Sequence, residues 1–78
     1  MVSLIKAPKY RRMTVVRIEG GHGVRRRLMS MGFHKDDVLE LDQKNILGGP
    51  VLIRNLTSDT TVALGRGIAR KIFVEIIE

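Results

Sequence analysis

Four runs of five or six residues, at 37–42, 51–56, 60–64 and 72–77, are rich in β-branched and alternating apolar side chains. A turn signal follows each of the first three. Residues 44–50 read KNILGGP, residues 57–59 read TSD, and residues 65–71 read GRGIARK. Period two places one face of a strand inside and the other in water. Strands this short bury little singly, so they must close on one another, and frequent turns between them point to a small barrel.

The upstream half adds one strand and one helix. Residues 13–18, MTVVRI, alternate and are β-branched, and residues 19–23, EGGHG, form a glycine-rich turn. Val24, Leu28 and Met31 then fall at i, i+4 and i+7, one face of a helix over 24–31. Gly32 suits the position after the helix end, where left-handed angles are needed, and Phe33 is placed to fold back onto Leu28 or Met29. The stretch 65–71 has room for one helical turn. The expectation is a single domain over 1–78, all-β with a short inserted helix.

Composition narrows what such a barrel does. A chain of 78 residues is small for one domain, and domains near this size bury only roughly 60% of their unfolded surface. There is no cysteine, which removes disulfides, thiolate metal sites and thiol nucleophiles. Apolar runs are too short to span a bilayer, so membrane insertion is not expected. The net charge of +6 is uneven: residues 1–35 carry +8 and residues 36–78 carry −2. A basic half favours an anionic partner.

Three successive arginines, Arg25, Arg26 and Arg27, open the helix over 24–31. The positive end of the helix dipole disfavours each exposed cation there by ~0.3–1 kcal/mol. They fan out about 100° apart instead of forming a stripe. Arg27 flanks the buried face, while Arg25 and Arg26 point outward. Met29 lies one turn from Arg25, and an exposed methionine among arginines fits a protein-binding face. Two other readings stand beside it. One is a plain solvated face. The other is an anion site made by the glycine-turn amides, with Gly21, Gly23 and Arg25.

Other chemistry is sparse. His22 and His34 bracket the helix, about 15 Å apart for two turns and too far for one ion. HKDD at 34–37 reads as a loop, and no metal site is assigned. No GK[ST] phosphate loop is present. Ser3, Ser30 and Ser58 have no histidine nearby in sequence, so no catalytic set is expected and no cofactor is implied. Tyr10 beside Arg11 and Arg12 is the one aromatic among cations, which disfavours a stacking platform for nucleic acid. Ile46 and Leu47 sit at the tip of the 45–51 loop as a second candidate partner contact.

In their order and spacing, VVRIEGG, RRRLMSMGF, LGGPVLIR, VAL and ARKIFVE resemble the ferrous iron transport protein A (FeoA) family. The resemblance implies an SH3-like β-barrel with a helix after the first long strand. It implies a cytosolic accessory protein that binds the membrane iron transporter FeoB, which carries a GTP-binding domain, and modulates its activity. The same domain type ends iron- and manganese-dependent repressors, so a stand-alone regulatory docking domain is one alternative, and a basic nucleic-acid-binding barrel is another. Three departures from the family pattern stand out. Lys35 and Asp36 replace a usual Pro-Gly or similar pair, Thr57-Ser58-Asp59 occupies a hairpin that commonly holds a glycine, and GRGIA, with Gly65, Gly67 and Ile68, replaces a turn that usually holds Arg or Lys and then acidic residues before the alanine.

Overall fold

The computed structural model describes residues 1–44 and 48–77. Six strands form one antiparallel sheet: β1 Val2–Ser3, β2 Arg12–Ile18, β3 Val38–Lys44, β4 Val51–Asn55, β5 Thr60–Leu64 and β6 Ile72–Ile76. Their spatial order is β1-β6-β2-β3-β4-β5. The sheet curls into a small SH3-like barrel. Helix α1, His22–Ser30, is inserted between β2 and β3, and one turn of helix, α2 Arg66–Ala69, precedes β6.

Alternation explains most of the core. In β4, Val51, Ile53 and Asn55 are buried, and in β3 Leu39 and Leu41 are buried. In β2, Met13 and Val15 point inward, yet Ile18 also packs on the core. A register shift against β6 between Val15 and Arg17 makes this possible. The extra residue of a bulge reverses the parity of everything after it, so a strand expected to keep one inward face uses both.

The structure adds an element that periodicity did not mark. Val2–Ser3 pairs with β6, and a 3-10 turn at Leu4–Lys6 follows. Leu4, Ile5 and Ala7 are buried in the main core. Two strand residues and one turn are too short to show a period, and their partner lies some seventy residues away in sequence.

Helix α1 starts two residues earlier than its apolar spacing indicates. Its N-cap is Gly21, so Arg25, Arg26 and Arg27 occupy the second turn. The dipole effect fades within the first turn, and most of the penalty expected for these arginines is therefore absent. The exit is as expected. Gly32 has φ +90°, its N–H bonds the Met29 carbonyl at 3.0 Å, and the Phe33 N–H bonds the Leu28 carbonyl at 2.9 Å. This is a Schellman cap, and Phe33 and Leu28 are both buried in the core.

Candidate functional site

The candidate surface is built where β2 ends and α1 begins. The chain turns at Gly20, whose φ is +114°, and a Cβ there would lie 3.1 Å from the Val24 Cβ. Only glycine lets the backbone pass this close to the helix. The tight turn lays α1 against the barrel with Leu28 fully buried and Val24 and Met31 half-buried.

The next face of α1 borders an open groove over the end of β2. Val16, Ile18 and Met29 supply its apolar lining, and Arg17, Arg25, His34 and Lys35 its polar one. Met29 is 56% exposed. Arg17 is held in place by Glu19 at 3.1 Å and lies over the Phe73 ring, 5.1 Å from its centroid. Arg25 and Lys35 have no ion-pair partner among the described residues. The groove thus offers apolar contact beside uncompensated positive charge.

Of the residues expected to bind a partner, the structure brings Arg25 and Met29 together. Arg26 is exposed but does not line the groove. Arg27, expected to flank the buried face, is exposed as well. Ile46 and Leu47 lie outside the described residues. Sequence reasoning missed Val16, Arg17, Ile18 and Lys35: the three β2 residues meet α1 through the turn at Gly20, and Lys35 through the helix exit at Gly32.

For the anion reading, Gly21 is the N-cap, Gly23 lies in the first turn, and Arg25 follows one turn later. The first turn has neither an acidic residue nor a side-chain cap.

His22 and His34 stand at the two ends of α1, and among the described residues no three His, Asp or Glu side chains are grouped to hold a metal. Asp37 lies in the loop before β3, as its sequence context indicates, and is buried at 7% exposure. Its Oδ2 accepts from the His34 N–H at 2.8 Å and from Asn55 Nδ2 at 3.0 Å. Asn55 Nδ2 also donates to the Gly32 carbonyl at 3.2 Å, while its Oδ1 accepts from the N–H groups of Thr57 and Ser58. One buried carboxylate and one amide thus tie the helix exit to the β4–β5 hairpin. Asp36 has φ +73° and Asp59 φ +56°, left-handed angles that aspartate tolerates better than most residues.

Comparison with known proteins agrees with this geometry. A family model described as the FeoA domain matches residues 2–76. A Methanocaldococcus jannaschii protein named "Putative Fe(2+) transport protein A" is 36% identical over 75 residues, covering 96% of this chain and 87% of that protein. The crystal structure of an iron uptake regulatory protein (FeoA) superposes with a TM-score of 0.84 at 28% identity, over 97% of this chain and 96% of that one. A manganese-dependent transcriptional repressor, in complex with manganese, matches with a TM-score of 0.88 at 25% identity, over 96% of this chain but only 36% of its own.

Proposed function

This chain belongs to the FeoA family, which takes part in ferrous iron transport, and on that premise we propose that it is a cytosolic accessory protein docking on the cytosolic part of the membrane iron transporter FeoB. The observation that carries the reading is the α1 groove. Met29 is 56% exposed, beside Arg25, which has no ion-pair partner among the described residues. Exposed methionine, unbranched and flexible, adapts its shape to varied apolar partners. Arginine is among the residues enriched at binding hot spots. The docking face comprises Arg25, Arg26 and Met29, with Ile46 and Leu47 as a second contact. Bound in this way, the protein shifts the transporter's equilibrium by the difference in its affinity for the transporter's states. The function is non-catalytic.

A second reading rests on the repressor likeness: the chain would act as a free regulatory module of the kind that spans about a third of that repressor. Nuclease-treated recovery of partners from mildly solubilised native membranes separates the two. Capture of the iron transporter by the wild type, lost in the combined Arg25→Ala, Arg26→Ala, Met29→Ala variant, supports docking through α1. Unchanged capture and unchanged iron uptake in that variant overturn the surface assignment.

A further inference from the structure

Strand β2 runs from the α1 groove to a second surface at the far end of the barrel, about 20 Å away for seven residues at strand rise. Of the exposed large hydrophobic side chains among the described residues, Met29 alone belongs to the groove. Met1, Val2, Tyr10, Ile76 and Ile77 are the others, at 37–66% exposure.

The sheet register brings these five to one end. Val2 lies opposite Val74 and Met13 opposite Ile76. The Ile77 N–H bonds the Arg12 carbonyl at 2.9 Å, and the Tyr10 N–H bonds the Leu41 carbonyl at 3.0 Å. The start of β1, the start of β2 and the end of β6 therefore meet. Val2 and Ile76 share the inward face of Val74, yet Val74 is fully buried while Val2 and Ile76 are more than a third exposed. The apolar interior continues outward at this point.

Cations surround the rim. Lys6 shares a depression with Met1 and Val2, and Lys9 Nζ lies 5.1 Å from the Tyr10 ring centroid. Lys6, Lys9, Arg11 and Arg12 are exposed and have no ion-pair partner among the described residues. Against these four cations stand three carboxylates: Glu75, beside Met1 and Ile76, Glu40, opposite Arg12 in the register, and Asp42, next to the Leu41 whose carbonyl Tyr10 bonds. The end remains positive.

Aliphatic side chains, one tyrosine and flexible cations form the composition of a surface that settles at a lipid headgroup boundary. A nucleic-acid backbone would satisfy the cations and leave the aliphatic rim without a partner. A second copy of this chain would bring the same charge against itself. We propose that this end of the barrel rests on an anionic bilayer surface without spanning it. The apolar rim then enters the headgroup boundary, and the α1 groove faces away toward protein. This goes beyond the transporter reading and does not depend on it.

The test is flotation of the full chain with phosphatidylcholine vesicles, with and without an equal share of phosphatidylglycerol, at physiological salt. Binding is expected only with the anionic lipid. The combined Lys6→Gln, Lys9→Gln, Arg11→Gln variant should lower it about tenfold or more. Tyr10→Asn, which suits the positive φ of 64° at this position, should lower it by about twofold to fivefold. Arg25→Gln with Arg26→Gln should change it less than about twofold, since those charges lie beyond the Debye length of ~8 Å at physiological salt. Absence of binding to anionic vesicles overturns the proposal, as does equal loss in the two charge variants. Tighter binding to a duplex oligonucleotide or a polyglutamate peptide, with the same Lys6, Lys9 and Arg11 dependence, assigns the surface to that partner and also overturns it.

Discussion

Asn55 Nδ2 donates a 3.0 Å hydrogen bond to Asp37 Oδ2, and both side chains are buried. The pair joins β4 to the loop leaving α1, so it fixes the helix that carries the groove. Asn55→Ala leaves the Asp37 carboxylate with one fewer donor and the Thr57 and Ser58 N–H groups without their side-chain acceptor. The expected loss is about 2–4 kcal/mol. Asp37→Ala removes the acceptor from the His34 N–H and should cost about 1–3 kcal/mol. Urea unfolding measures both, and a loss below half a kcal/mol in either would show that the network does not hold the helix exit.

The left-handed positions give substitutions of opposite sign. Asp36→Gly and Asp59→Gly relieve φ of +73° and +56° and should each stabilise by about 0.5–1 kcal/mol, net of the greater freedom of the unfolded chain. Gly32→Ala, at φ +90°, should destabilise by about 1–2 kcal/mol. Gly20→Ala should cost more, since its Cβ also meets Val24 at 3.1 Å. Thermal melts of the four variants test this ordering.

The first turn of α1 has room for improvement. Gly23 lies inside the helix, and a Cβ there meets nothing within 4 Å. Gly23→Ala should therefore add about 0.5–1 kcal/mol through helix propensity alone. Gly21→Asp should add a comparable amount by capping the free N–H groups and opposing the dipole. Denaturant midpoints that fall instead of rising would place another constraint on this turn.

Neighbouring positions on α1 should separate stability from docking. Leu28 is fully buried, so Leu28→Ala should cost about 2–5 kcal/mol of stability. Met29→Ala and Arg25→Ala should each change stability by less than about 0.5 kcal/mol but weaken transporter binding by about 1–2 kcal/mol. Arg26→Ala, outside the groove, should weaken it less than Arg25→Ala. Parallel unfolding and binding titrations of the four variants reveal this split, and equal losses for Arg25→Ala and Arg26→Ala would contradict the groove as the docking centre.

Local pattern was enough for β3 to β6, for the Schellman exit at Gly32 and for the inward side of α1, because each depends on residues within one turn or one strand. It was also enough to place Arg25 and Met29 one turn apart on an outward face. The N-terminal strand, the bulge in β2 and the burial of Asp37 were not readable in this way. Each is set by a partner distant in sequence: β6 for Val2–Ser3 and for the bulge, and Asn55 for Asp37. Pairing across such distances leaves no period in the chain. The sequence alone thus settled a basic, cysteine-free chain of short strands with one helix. Tertiary structure decided which cations border apolar surface, because the turn at Gly20 lays α1 beside the end of β2 and the pairing of β6 with both β1 and β2 gathers their starts at its own end.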